Sequence, residues 1–233
     1  MLHVLLLVVV GLFALAGVWQ LQRSSERREH NAFVLEQRAR PVGSLVDVFD
    51  RPDDAEHRRV RASGRYDTGR EVVLRGRSDR GRPGNHVLTP LVMTGGRAVI
   101  VDRGWVPFEL DHAPVVEALP PAGNVEVTGI VLPTEGRAPL TGRATDESPP
   151  RELSRIDVGR LARSLPYQTF PMYLALTQQQ PAQPDELPDP VSFPRAEEGP
   201  HFLYAIQWFA FIAIAIVGYA ALLRRESRKQ TMA

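Results

Sequence analysis

The 233-residue sequence contains no cysteine. That excludes disulfides, and with them thiolate metal sites, c-type haem attachment and cysteine nucleophiles. Lysine is almost missing: Lys229 stands alone and arginine carries the rest of the basic charge, the bias of a GC-rich bacterial genome. Neither sign of charge dominates, since 28 basic residues face 27 acidic ones. The arginines between Arg51 and Arg82 are interleaved with acids, which gives nucleic-acid binding no support. Catalytic motifs are missing too: there is no Gly-x-Ser-x-Gly elbow, no Walker loop and no His-Glu-x-x-His. The group Asp53-Asp54-Glu56-His57 could hold a cation, but its proline-containing polar setting reads better as a solvated loop.

What the chain has instead is two long apolar runs. Leu2 to Leu21 is apolar apart from His3 and Gln20, and Phe202 to Leu223 apart from Gln207 and two tyrosines. Each run is about 20 residues, the length that crosses roughly 30 Å of hydrocarbon as a helix. The first has no basic leader and outlasts the usual signal-peptide core, so it is read as a retained anchor. Arg224, Arg225, Arg228 and Lys229 follow the second run as a stop-transfer cluster and favour a cytoplasmic C-terminus. Two spans then place the N-terminus on the same side. Arg23, Arg27 and Arg28 argue the other way, and the C-terminal cluster is the denser. No transit peptide precedes the first run, so the expected location is the plasma membrane of a bacterium, with the lipid bilayer as a partner. The expected organisation is a first transmembrane helix (1–22), an extracytoplasmic domain (23–201), a second transmembrane helix (202–223) and a basic cytoplasmic tail (224–233).

Between the runs, short apolar stretches are punctuated by turn residues. Val60–Tyr66, Glu71–Leu74, His86–Met93, Arg97–Asp102, Asn124–Leu132 and Phe170–Leu176 read as strands, with Gly95-Gly96 as a hairpin turn. Gly76, Gly81 and Gly84 mark a charged hairpin loop. One helix is expected from Asp157 to Leu165, with Asp157 as N-cap and Pro166 as the stop. Residues 23–40 read as a polar helical stalk. Residues 178–200, rich in Gln, Pro, Asp and Glu, read as an extended linker. The fold class is therefore an α+β membrane protein, two transmembrane helices flanking an antiparallel β-rich sheet or small barrel with one helix.

Residues with chemical potential gather where the two anchors meet the outer surface. Trp19, Gln20 and Arg23 are expected on one face of the first helix. On the second, His201, Tyr204 and Trp208 follow i, i+3, i+7 spacing, with Gln207 at the edge of that stripe. An aromatic belt with a snorkelling arginine accounts for Trp19, Arg23 and Trp208. A belt needs no imidazole, and an amide inside a span must find a partner. Neutral imidazole is also a natural ligand for haem iron.

Gly17-Val18-Trp19-Gln20-Leu21-Gln22-Arg23 resembles the Gly-x-Trp-Gln-x-x-Arg signature that closes the first helix of the Surfeit-locus family, the Shy-type factors of yeast. Gly64-Arg65-Tyr66 and Thr89-Pro90-Leu91 are similar to further motifs of that family. So are Val101-Asp102-Arg103-Gly104-Trp105-Val106-Pro107 and Pro200-His201-x-x-Tyr204-Ala205-x-Gln207-Trp208-Phe209. The matches keep their order from about Gly17 to Arg225. Many members carry a lysine soon after the first motif. Here Ser24-Ser25-Glu26-Arg27-Arg28 stands there, which leaves that role to Arg27 or Arg28.

The resemblance implies a non-enzymatic chaperone for assembly of the haem-copper terminal oxidase (cytochrome c oxidase). It would act on the largest oxidase subunit and handle haem a during insertion, with the haem a synthesis machinery as a further partner. It also implies His201 as the haem contact and iron ligand, with Tyr204, Gln207, Trp208, Trp19, Gln20 and Arg23 around the cofactor. Four methionines and no cysteine leave little soft sulfur for copper delivery. In the central motif, Asp102 and Arg103 are expected at a strand end. Arg103 should pair with a carboxylate or cap carbonyls, and Trp105 should cover the core edge. Two rival readings stay open: a structural scaffold for oxidase subunits that never touches haem, and a membrane enzyme that modifies haem or lipid.

Overall fold

A computed structural model describes residues 1–135, 152–191, 193 and 201–231. In chain order the elements are α1 (Leu2–Ala39), β1 (Gly43–Ser44), α2 (Leu45–Val48), β2 (Arg59–Tyr66), β3 (Val72–Asp79) and β4 (Arg82–Met93). There follow β5 (Arg97–Pro107), β6 (Val125–Leu132), β7 (Glu152–Leu153), α3 (Val158–Arg163), β8 (Gln168–Gln180) and α4 (His201–Thr231). The chain divides into two compact units, one formed by residues 1–35 with α4 and the other by residues 36–193.

The first unit is an antiparallel helix pair. Both α1 and α4 carry a segment long and apolar enough to cross a membrane, and almost none of either segment is buried. The 38 residues of α1 extend about 57 Å at 1.5 Å per residue, nearly twice a hydrocarbon core. The polar residues after Gln22 therefore continue as helix beyond the apolar run. Aromatic rings join the pair. His3 is hydrogen-bonded to Tyr219, and Phe13 packs on Trp208 and Phe211 with ring centroids 5.5 and 5.7 Å apart. Arg28 stacks over the Phe202 ring at 5.5 Å. Gly17 lies against Phe209, where a Cβ would come within 2.9 Å of the ring. A small residue is what lets the backbone and ring approach so closely.

The second unit is a mixed sheet of eight strands in the order β1-β2-β6-β8-β5-β4-β3-β7. Strand β2 also pairs with β4, Gly64–Tyr66 against Leu91–Met93, so β2, β6, β8, β5 and β4 close into a five-stranded ring. Most pairings are antiparallel, as the hairpin signals predict. Three are parallel: β1–β2, β3–β7 and, within the ring, β5–β8. Strand β8 reaches β5 only after β6 and α3, a connection long enough to return in the same direction. Residues of β2 alternate exposed and buried, which turns Val60, Ala62, Gly64 and Tyr66 to the interior. There they join Leu91, Val99, Val101, Val127, Phe170 and Leu174 in the main core (Gly64 excepted, having no side chain). A Cβ on Gly64 would lie 2.3 Å from the Val92 carbonyl oxygen, so the closing contact requires glycine there.

Strands β3 and β4 run on beyond the ring. The stretch expected as a charged loop is mostly strand: Asp79 pairs with Arg82 around the two-residue turn Arg80-Gly81. Both turn residues have positive φ, 49° and 79°, as a twisted two-residue hairpin demands. Leu74, Leu88, Ile100 and Tyr173 pack with Ile156, Val158 and Leu161 in a second core. Val73, Val87 and Val106 pack with Val115 and Ala118 in a third. The expected helix is present as α3, capped by Asp157, whose side chain accepts the Arg160 N–H at 2.8 Å. A further one-turn helix, α2, which the sequence reading missed, is capped by the Ser44 hydroxyl.

The segment read as a linker, 178–200, needs correction. Gln178–Gln180 belong to β8 and pair with Glu126–Thr128 of β6. Asp189 exchanges two backbone hydrogen bonds of 2.8 Å with Trp105. Leu187 packs against the third core, and Val191 and Phe193 against the second. Residues 192 and 194–200 lie outside the described residues. Polar composition misled here because glutamine amides can satisfy buried partners as well as water can.

Candidate functional site

The seven residues singled out at the helix ends do not form one cluster. Successive helical residues turn by about 100°, so Phe13, Gly17, Gln20 and Ser24 make one stripe of α1, the one packed against α4. Trp19 and Arg23 lie on another face. Trp19 is 59% exposed and lines, with Gln22, Arg23 and Glu26, a cleft of about 200 Å³. Arg23 pairs with Glu26 at 3.0 Å. The expected common face of Trp19, Gln20 and Arg23 is thus divided between cleft and helix pair. On α4, Trp208 is held inside the pair against Phe13, while Tyr204 and Gln207 are exposed. His201 is the first residue of α4. Helical spacing puts its position on the stripe of Ala205, Trp208 and Ile212, which faces α1.

The densest polar chemistry lies in the second unit, and the motif residues build it. Arg103 is 1% exposed. Its Nη1 donates to Glu71 at 3.2 Å, and its Nη2 donates to the Ala118 carbonyl at 2.5 Å and to Gln183 Oε1 at 3.1 Å. Glu71 also accepts from the Thr89 hydroxyl at 2.9 Å and the Val115 N–H at 2.8 Å. The Arg103 guanidinium stacks 5.4 Å from the Tyr66 ring centre, and the Tyr66 hydroxyl donates to Gln179 at 3.2 Å. Gln183 in turn donates to the carbonyls of Leu119 and Leu187 at 2.8 Å. Tyr66 of the Gly64-Arg65-Tyr66 motif meets Thr89 and Arg103 of the central motif in one network. Arg103 does pair with a carboxylate, as predicted. Glu71, Gln179 and Gln183 gave no signal beyond an acid beside an apolar run and a glutamine tract.

Asp102 and Arg103 are not at a strand end, since β5 continues to Pro107. They sit at a bulge, where the register slips between the Val87–Gly104 and Leu88–Asp102 pairs. Gly104 has φ 134°, and a Cβ there would lie 2.0 Å from the Asp189 carbonyl oxygen. Asp102 caps the bulge by accepting the Gly104 N–H at 3.2 Å, and its other oxygen holds His86 Nδ1 at 2.9 Å. Trp105 is 5% exposed, with Arg82 stacked over it at 4.3 Å.

Burial sets the electrostatics of this network. It pushes the Glu71 carboxyl above the usual glutamate value, opposed by the Val115 N–H, the Thr89 hydroxyl and Arg103. Burial lowers the Arg103 guanidinium, which Glu71 and Tyr66 partly restore. The Tyr66 hydroxyl is pushed far up by burial and drawn back by Arg103. Tyr173 is raised by burial, and further by Asp102 and Glu135. A fully bonded, enclosed ion pair of this kind orders the barrel. Among the described residues no group of three or more His, Cys, Asp or Glu side chains is placed to hold a metal ion.

Comparison with known proteins agrees with these motifs. The SURF1 family signature matches residues 6–213. An uncharacterised SURF1-like protein of Mycobacterium bovis is 29% identical over 97% of this chain and 86% of its own length. The SURF1-like protein of Rickettsia felis is 20% identical over 96% of this chain and 97% of its own. Surfeit locus protein 1 of Mus musculus is 30% identical over 61% of this chain and 51% of its own. A match that runs from the first helix through the sheet into the second places the whole architecture in one lineage: the chain belongs to the SURF1 family.

Proposed function

We propose that this protein is a membrane-anchored, non-enzymatic assembly factor for the haem-copper terminal oxidase, acting on the largest oxidase subunit while haem a is inserted. The observation that carries this reading is the family match over residues 6–213, which reaches into both helices and takes in the motif opening α4. In this reading α1 and α4 anchor the chain in a bacterial plasma membrane, with both termini cytoplasmic and the sheet outside. Haem a is cargo, delivered from the synthesis machinery, and His201 offers it an imidazole. The donor chemistry of the helix pair suits such a guest. His201 is the first residue of α4, the rings of Phe13, Trp208 and Phe211 pack within the helix pair, and Arg28 sits over Phe202. Aromatic rings shelter a macrocycle, and an arginine complements its carboxylates.

The test is an absorption spectrum of the full-length protein in lipid nanodiscs with haem a. A low-spin haem spectrum is expected, lost in His201→Ala with the helical content unchanged, since a residue at a helix end contributes little to a span. Gln207→Leu should do milder damage. An unchanged spectrum and affinity in His201→Ala would leave the scaffold reading. One observation already favours that second reading for part of the motif: Trp208 and Gly17 are occupied by helix packing.

A further inference from the structure

A cavity of about 310 Å³ opens between α3 and the sheet. Val72, Leu88 and Ile100 from the strands and Leu161 and Leu165 from the α3 side form its apolar wall. These residues belong to the second core, and close-packed interiors do not leave such space without cost. At about 30 Å³ for a water-sized group, the cavity has room for about ten such groups, a short aliphatic chain with its head. The mouth is polar. Arg70 donates to the Ser164 carbonyl at 3.0 Å, an exposed bond.

Among the described residues no carboxylate stands within ion-pairing distance of the Arg70 guanidinium. The two nearest in sequence are already engaged. Asp67 accepts from the Tyr167 hydroxyl at 2.9 Å, and Glu71 is held by Thr89, Arg103 and Val115. A cavity with an apolar wall on one side and a cation without an ion-pair partner on its polar side complements an amphiphile of a single negative charge. Asp67 in the same turn disfavours a dianion.

We propose that this cavity binds a small aliphatic monocarboxylate, tail against Ile100 and Leu161, head on Arg70. The site lies wholly within residues 36–193 and is independent of the haem reading. Methyl NMR of the full chain in nanodiscs, titrated with octanoate, tests it. Saturable shifts at the Ile100 and Leu161 methyls are expected, and Arg70→Gln should weaken binding about tenfold. Octan-1-ol should bind more weakly and equally to both proteins, and octyl phosphate no tighter than octanoate. Leu161→Trp should fill the chamber and abolish the Ile100 shift. If that variant fails to fold, the Arg70→Gln comparison decides alone. Absent or unsaturable shifts, equal octanoate affinity in Arg70→Gln, octanol binding as tightly as octanoate, or tighter phosphate binding would each overturn the assignment.

Discussion

Arg103 and Glu71 are the clearest case of a residue-scale commitment. Two opposite charges, 1% and 0% exposed as side chains, satisfy each other in a place where either alone would be stranded. Removing one should therefore cost far more than the pair contributes. Arg103→Met is expected to destabilise the sheet unit by about 3–5 kcal/mol, and adding Glu71→Gln should recover much of that. Urea unfolding followed by the β signal in circular dichroism measures both. A single variant as stable as the parent would sink the idea. The pH sign follows from the same burial. Because the folded state raises the Glu71 carboxyl, it binds that proton more tightly than the unfolded chain does. Stability from this group is therefore greatest in acid and falls as pH climbs from the ordinary value of 4.5 through the raised one. Glu71→Gln should flatten that part of the profile.

At the scale of elements, period and punctuation made most strands legible. The short run Val60–Tyr66 gave β2, the alternation of Val125, Val127 and Val131 gave β6, and Asp157 with Pro166 bounded α3. What resisted reading was long-range. Nothing local says that Gly64 must pass close to Val92, or that Gly104 must leave room for Asp189, because both demands come from partners distant along the chain. The same limit explains the misplaced linker and the scattered helix-end residues. Spacing puts Trp19 and Arg23 on one face but does not say that α4 takes the other. The helix pair can be tested through Gly17, where any side chain presses on Phe209. Gly17→Val is expected to disrupt the pairing. A disulfide between Cys introduced at Phe13 and Phe211, formed readily in the parent, should then form several-fold more slowly. An unchanged rate would show that the ring simply moves aside.

For the whole molecule, α1 and α4 are long and apolar enough to cross a bilayer, and the proposed topology can be tested directly. The basic cluster after Leu223 argues that the sheet is exported. A reporter active only outside the cytoplasm should work when fused at Gly123 and fail at Ala233, and the reverse pattern would turn the protein over. The closed ring carries a consequence for how anything finds this sheet. Among the described residues its ladder ends on β1 and β7, each two residues long and each running parallel to its neighbour. So short a selvedge offers an incoming strand almost no backbone to zip onto. At these two ends a visiting chain cannot simply extend the fabric, whether it is a client or another copy of the protein. There it has to read side chains, and mutations that abolish recognition at those ends should fall on surface residues and leave the backbone pairing untouched.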